Sequence, residues 1–420
     1  MSDLKLLGKN ARLASKVISN LSAEKTNLLI KNIAKELINQ SSQIIDKNKL
    51  DIEAAQSKGM SAAMIDRLVL NEERITQISN DVLAVSKLDD VVGEIIDHKV
   101  MDNGLDVSRI RVPLGVIGVI YESRPNVTID IACLCIKSGN AVILRGGSES
   151  INSNLILTQI IQKVLSDMSL STEIVQLVQS TDRSLINEML RLDECIDLMI
   201  PRGGQELVNM VAENASMPSI TGGVGVCHTY IDESANWNDA VEIVNNAKVQ
   251  RPYVCNAMDT VLIHSKIASD LLPEIANRLS QSNVEFRCDS RSFDILKNVK
   301  NAKITLASDQ DWDTEFLDLI AGVKVVDSLD MALDHIDAHG TGHSEAIITN
   351  NSDSISRFRN EVDASAVMIN SSTRFNDGGQ LGLGAEVAIS TNKLHARGPM
   401  GLRELMSYKW IVQGDGQIRK

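Results

Sequence analysis

The apolar positions along this chain change their period twice. Through residues 10–92, Leu28, Leu29, Ile33, Leu37, Ile44 and Ile45 recur at helical spacing, with Lys, Glu and Asn between them. Residues 60–85 continue in the same style. This predicts a helical face packed on a neighbouring domain, and nothing in it points to chemistry. From 93 to 112 the pattern turns extended. Asp102-Asn103-Gly104 separates residues 95–101 from 105–112. Asn-Gly between extended runs predicts a hairpin with a type I′ turn, whose two central residues need positive φ. Such a hairpin lies outside the main alternation and needs cover, for which a partner subunit is the candidate.

Strands then alternate with helices. Residues 114–121 form a continuous apolar run, as a buried parallel strand requires. Residues 127–137 read as helix, 141–144 as strand, 150–168 as helix, 174–178 as strand, 184–192 as helix, 196–200 as strand and 204–213 as helix. A second series begins near Cys227, with strands at 229–231, 260–263, 303–306, 324–326, 346–349 and 366–369. A helix is expected over 238–249, and a last strand over 408–412. Alternation of this kind predicts doubly wound parallel sheets, which bind ligands beyond the carboxyl ends of their strands. In the first series those ends carry Glu122-Ser123-Arg124-Pro125-Asn126, Arg145-Gly146-Gly147-Ser148 and Pro201-Arg202-Gly203-Gly204.

Composition narrows the class. The chain has 420 residues, 43% of them hydrophobic, and a formal charge of −13. It can bury a sizeable core, and no basic run suggests a nucleic-acid surface. No apolar stretch is long enough to span a bilayer, and residues 1–5 carry no apolar signal core. The 6 cysteines are scattered, with neither zinc-finger nor disulfide spacing, so a reducing cytoplasm is expected.

Cys255 is the sharpest chemical candidate. It lies in Gln250-Arg251-Pro252-Tyr253-Val254-Cys255-Asn256-Ala257, between a helix and a strand. A thiolate on such a loop can be a nucleophile, and Arg251 could lower its pKa. The alternative is a buried cysteine filling a gap. Arg145-Gly146-Gly147 can offer an arginine and backbone amides to a phosphate, and Pro201-Arg202-Gly203-Gly204 repeats that arrangement. Neither fits G-x-G-x-x-G, so a plain tight turn stays open at each. Two such arginines favour a phosphorylated dinucleotide. Asn126 could donate to an oxyanion, although local sequence favours an N-cap for the following helix. His335, His339 and His343 are spaced by four, but Gly340 and Gly342 should end the helix before His343, so a structured loop is expected rather than a metal site. The glycine-rich stretch 377–384 reads either as a ligand-closing loop or as a plain connection.

The chain resembles the γ-glutamyl phosphate reductases, also called glutamate-5-semialdehyde dehydrogenases, of the aldehyde dehydrogenase superfamily. The resemblance rests on Val326, then Ala332-Leu333-Asp334-His335-Ile336, then His339-Gly340-Thr341-Gly342-His343-Ser344-Glu345-Ala346-Ile347. Tyr121-Glu122-Ser123-Arg124-Pro125-Asn126-Val127-Thr128, Lys137-Ser138-Gly139-Asn140 leading into Arg145-Gly146-Gly147, and Leu394-His395-Ala396-Arg397-Gly398-Pro399-Met400-Gly401-Leu402 agree with it. It covers essentially the whole chain.

The resemblance implies an aldehyde-dehydrogenase-like α/β fold: two doubly wound parallel-sheet domains and a hairpin oligomerisation element. Residues 1–94 and 113–228 would form the NADPH-binding domain and 229–400 the catalytic domain. Residues 95–112 and 401–420 would be the oligomerisation hairpin and C-terminal strand of a dimer or tetramer. It further implies Cys255 as nucleophile, Asn126 at the oxyanion, and Arg145, Gly146, Gly147, Pro201, Arg202, Gly203, Gly204 and Glu315 around NADPH, with Glu315 on the nicotinamide ribose. Arg124, Arg251 and Arg397 are candidates for the substrate anions, each with a structural ion pair as the alternative. His228 and His395 are both candidate general acids. Two departures stand out. Ser148 falls where many reductases carry lysine. Residues 220–226 lack the glutamate that activates hydrolytic water in oxidising aldehyde dehydrogenases. The implied reaction is reduction of L-glutamyl 5-phosphate through a cysteine thioester, in proline synthesis, with transient contact to glutamate 5-kinase. The competing readings are semialdehyde oxidation, a non-enzymatic nucleotide-binding protein, and a binding module for that kinase.

Overall fold

The computed structural model describes residues 3–220, 222 and 224–419. Thr221 and Gly223 of the segment lacking a glutamate lie outside the described residues, as do Met1, Ser2 and Lys420 at the ends of the expected domains. Among the described residues the chain opens with helices α1 (Asp3–Ile18), α2 (Ala23–Asn39), α3 (Ser41–Ser57), α4 (Ala62–Leu68) and α5 (Glu72–Val85). Strands β1 (Ile95–Val100) and β2 (Asp106–Pro113) follow, then β3 (Val116–Tyr121), α6 (Val127–Lys137), β4 (Ala141–Gly146), α7 (Ile151–Asp167), β5 (Val175–Leu177), α8 (Ser184–Met189), β6 (Leu198–Arg202) and α9 (Gln205–Asn214). The second series runs β7 (His228–Ile231), α10 (Trp237–Val249), β8 (Thr260–His264), α11 (Ser265–Ser280), β9 (Glu285–Cys288), α12 (Ser290–Leu296), β10 (Lys303–Leu306), β11 (Ile320–Val326), α13 (Leu329–His339), β12 (Ser344–Ile348), α14 (Ser352–Glu361) and β13 (Ala366–Ile369). Short strands β14 (Ile389–Ser390) and β15 (Gly398–Pro399) precede β16 (Met406–Gln413).

The chain divides into two compact units. The first comprises Met1–Thr221, Gly382–Ala388 and Met400–Lys420; the second comprises Gly222–Leu381 and Ile389–Pro399. The first unit holds a parallel sheet of order β5-β4-β3-β6. Every residue of β3 and β4 is buried, which is why β3, and β4 up to Arg145, read as apolar runs. α6 is apolar around most of its circumference and sinks into this unit, Ile129, Ile131 and Ile136 each being buried. The second unit holds a longer parallel sheet of order β10-β9-β11-β8-β7-β12-β13. Its core is built from β8, β9 and β11 with α10 and α11, through Val261, Phe286, Val323, Val244 and Leu271.

β9 was not foreseen in the sequence. Glu-Phe-Arg-Cys buries only alternate residues, Phe286 and Cys288, so it lacks the continuous apolar run that marks β3. The hairpin also differs from expectation. β1 and β2 pair antiparallel, but among the described residues positive φ falls on Gly104 and not on Asn103. The Gly104 amide donates to the Met101 carbonyl and the Met101 amide to the Leu105 carbonyl. The loop is therefore a three-residue turn closed by a glycine bulge, not a two-residue type I′ turn. β16 adds to the other side of β2, giving the sheet β1-β2-β16.

Candidate functional site

In the first unit the parallel strands deliver three loops. Asn126 follows β3 with helical backbone angles and makes no side-chain cap, so the N-cap expected from local sequence is not formed. Its Nδ2 donates instead to Asp130 Oδ2, 2.8 Å away and one helical turn on. Burial pushes the Asp130 carboxyl up to about 6, although the Asn126 bond favours its charged form. Ser123, at positive φ, donates from its amide and its hydroxyl to Glu149. Arg124 is half-buried beside it.

Arg145 lies near the end of β4 with its guanidinium largely enclosed. Among the described residues its buried Nε has no hydrogen-bond partner. Burial lowers its pKa while the Glu149 and Glu122 charges oppose that shift. A Cβ on Gly146 would meet the Asn154 amide and one on Gly147 the Glu149 carboxylate, so the neighbouring side chain would have to give way. In the third loop Pro201 is buried and Arg202 half-buried at the end of β6. Gly203 abuts Glu122, whose carboxylate accepts the Gly204 amide at 3.2 Å, at the start of α9. A Cβ on Gly204 would meet nothing. These strand ends thus offer arginines that suit phosphates and carboxylates that suit ribose hydroxyls, and the unpartnered Arg145 Nε is a donor that suits an anion.

The second unit carries the cysteine loop, between the end of α10 and the start of β8. Cys255 is half-buried, whereas Cys133, Cys135, Cys195, Cys227 and Cys288 are buried. The loop is tied down at several points. The Met258 amide donates to the Ala247 carbonyl at 3.0 Å. Asn256 is buried and donates to the Asn376 carbonyl at 3.0 Å. Arg374 reaches both Gln250 and the Asn256 side chain, spanning the loop. Arg251 and Tyr253 point to the surface.

Beneath the loop runs the segment 224–228. The Cys227 thiol donates to the Cys255 carbonyl at 3.2 Å. Burial raises the Cys227 thiol well above its usual range, so it stays protonated. The Gly225 amide donates to Glu315 Oε1 at 3.0 Å. Burial pushes Glu315 up to about 7, with Asp259 adding to the shift.

The histidine-rich motif holds this segment from the other side. Thr341 Oγ1 donates to the Val224 carbonyl and accepts the Val226 amide. Glu345, fully enclosed, accepts the His228 amide at 2.9 Å and contacts His228 Nδ1 at 3.0 Å. The His343 ring lies 3.9 Å from the Cys227 sulfur. α13 ends at His339 and is followed by Gly340, so His343 stands on a separate stretch, as expected. Lys324 contacts His335 Nδ1 at 3.0 Å, and burial drives that imidazole's pKa down to about 2. His339 pairs with Asp313 at 2.7 Å. The motif is thus a set of struts for the strand under the cysteine.

The other predicted residues are placed less tellingly. Arg397 forks onto the Asp363 carboxylate and carbonyl, the structural ion pair held open for it. His228 is wholly buried on Glu345, whereas His395 is exposed, at positive φ. The 377–384 stretch begins as a tight turn, with Asp377 Oδ1 accepting the Gly379 and Gln380 amides. Sequence reasoning missed Gly225, Arg374, Lys248, Asp259 and the Asp130 partner of Asn126. None carries a local signal, because each matters through a contact distant in sequence or through burial.

Comparison with known proteins gives a consistent picture. Residues 2–295 match the model of the aldehyde dehydrogenase family. A γ-glutamyl phosphate reductase of Dehalococcoides mccartyi is 53% identical over 409 residues, covering 97% of this chain and 96% of the relative. One from Clostridium tetani is 48% identical over 417 residues, covering 98% and 97%. The crystal structure of γ-glutamyl phosphate reductase from Thermotoga maritima superposes with a TM-score of 0.97 at 44% identity, covering 100% of both chains.

Proposed function

The chain belongs to the aldehyde dehydrogenase family, among its γ-glutamyl phosphate reductases, and from that premise we propose that it reduces L-glutamyl 5-phosphate to L-glutamate 5-semialdehyde and phosphate with Cys255 as nucleophile. The observation that carries this reading is the cysteine loop: Cys255 is the cysteine not sealed in the core, on a loop braced at both ends.

The Cys255 thiolate attacks the acyl carbon; a carbon–sulfur bond forms and the carbon–oxygen bond to phosphate breaks. The Asn126 amide stabilises the oxyanion, and Asp130 holds that amide in place. Phosphate departs and leaves a γ-glutamyl thioester on Cys255. A reduced nicotinamide dinucleotide, when bound, supplies the hydride that releases the aldehyde. Residues 220–226 offer no glutamate to activate water, which protects the thioester from hydrolysis.

The family uses a nicotinamide dinucleotide; NADPH is our finer assignment. Arg145 and Arg202 would take phosphate groups, with Gly146, Gly147, Pro201, Gly203 and Gly204 shaping the backbone between them. Glu315 would accept the nicotinamide ribose hydroxyls. Arg124 and Arg251 would bind the substrate's anionic ends, with Arg397 supporting that region through Asp363. The first unit would then be the cofactor domain and the second the catalytic domain.

The sheet β1-β2-β16 would pair with a second copy, in a dimer or tetramer, because β16 exposes Tyr408, Trp410 and Val412. Among the described residues no helix is long and apolar enough to cross a membrane, and 6 cysteines that are all thiols suit a reducing cytoplasm. The lability of an acyl phosphate favours transient contact with glutamate 5-kinase. The test of the reaction is Cys255→Ser: reductase activity should vanish, and with it the acyl adduct that mass spectrometry finds on the wild type before cofactor is added. Substantial activity in that variant would overturn the assignment.

A further inference from the structure

Lys248 occupies the last turn of α10, just before the cysteine loop, and its side chain is wholly buried. Among the described residues its Nζ makes no hydrogen bond. Its carboxylate neighbour is Asp259, 3.8 Å away and also buried, just after the loop. The Phe316 ring lies 5.8 Å from the ammonium. A buried ion pair contributes little net stability relative to apolar residues of similar volume. The position of the pair is therefore more informative than its strength, because Lys248 and Asp259 bracket the segment that carries Cys255.

Asp259 also joins three strands of chain. Its Oδ1 accepts the Phe316 amide at 3.0 Å and its Oδ2 the Cys227 amide at 3.3 Å. Its own amide donates to the Cys227 carbonyl at 2.9 Å, and its carbonyl accepts the Gly322 amide at 2.8 Å. One residue thus fixes the exit of the cysteine loop, the segment holding Gly225 and Cys227, and the segment holding Glu315 and Phe316. We propose that the buried Lys248–Asp259 pair is a positioning device that sets the Cys255 loop and Glu315 in fixed relation, with neither residue touching the reacting atoms. The inference rests on the roles assigned above to Cys255 and Glu315. Lys248 orients the carboxylate from the α10 side, so its two acceptor oxygens stay aimed at the two amides. Without that charge the carboxylate is free to turn, and the loop and the Glu315 segment lose their common anchor.

The test uses the full chain with Lys248→Met, which removes the ammonium and leaves the Asp259 carboxylate in place, and the neutral double variant Lys248→Met/Asp259→Asn. Three quantities are read well below each variant's melting temperature: kcat, KM for cofactor and for acyl phosphate, and the rate at which iodoacetamide alkylates Cys255. Positioning predicts that both variants lose about tenfold or more in kcat and in alkylation rate. KM for cofactor should rise and KM for acyl phosphate should stay within about twofold. The double variant should fold but melt below the wild type, because an amide keeps only one of the two acceptor oxygens, and it should still not recover kcat. Both variants remaining within about twofold of wild type in kcat and alkylation rate would overturn the proposal. So would a double variant that cannot fold, since the pair would then be needed for the fold itself. Alkylation reports the loop whether or not the reaction is assigned correctly. Failure of the reaction reading would show separately, as activity persisting in Cys255→Ser.

Discussion

Gly225 and Cys255 pack backbone against backbone: a Cβ built on Gly225 would fall 1.6 Å from the Cys255 carbonyl oxygen. No side chain fits there, so glycine is required by contact with the Cys255 backbone. Gly225→Ala should displace the loop, and displacement of about 1 Å at a reacting group can cost about a hundredfold in rate. The variant should keep its far-ultraviolet circular dichroism and lose at least that much kcat. Near-normal turnover would mean that the loop can shift without consequence.

Glu345 is the buried partner of both the His228 amide and ring. Burial raises its pKa, and His228 opposes that rise. Glu345→Ala would leave both groups unsatisfied, and removing one member of a buried pair typically costs about 3–5 kcal/mol. Urea denaturation should show a loss of that order, with Glu345→Gln losing less because it keeps an acceptor. An unchanged midpoint in Glu345→Ala would deny the motif its bracing role.

Glu315 gives the account a pH dependence. Its carboxyl titrates at about 7 in the fold, against an ordinary 4.5. The folded state therefore holds the proton more tightly, and the stability this adds at low pH is lost as pH rises from about 4.5 to about 7. Its ionised form is the better acceptor for ribose hydroxyls. KM for cofactor should rise as pH falls through about 7, and Glu315→Gln should flatten that profile. An unaltered profile in the variant would remove Glu315 from the cofactor site.

Asn126 donates to Asp130 and retains a second amide hydrogen, which in the proposed reaction would meet the oxyanion. Losing an oxyanion donor costs about 10²–10³ in kcat. Asn126→Ala should show that loss with KM for acyl phosphate nearly unchanged. Asp130→Ala should show a smaller loss, because the amide remains but is no longer held.

Much of the fold was legible because burial imposes period. β3 is apolar throughout and β4 is apolar up to Arg145, and α6, β10 and β13 fall at the residues expected from sequence. β9 was missed because Glu285 and Arg287 interrupt its apolar pattern. The turn at Gly104 was mistyped because Asn-Gly marks a hairpin without fixing its loop length. Cys255 stood out in the sequence through its loop and the family resemblance, and it lies half-buried on that loop. The residues that hold it did not stand out: Arg374 is more than a hundred residues from Asn256 in sequence, and Lys248 looks like any helical lysine until its burial is seen.

The reverse reaction distinguishes a thioester that passes to phosphate from one that passes to water. Purified protein would be mixed with glutamate 5-semialdehyde, in equilibrium with pyrroline-5-carboxylate, and NADP⁺, with and without inorganic phosphate, while reduced cofactor is followed by absorbance. The account predicts reduced cofactor only when phosphate is present, and none in Cys255→Ala. Reduction that proceeds equally well without phosphate would contradict it, because the thioester would then be passing to water.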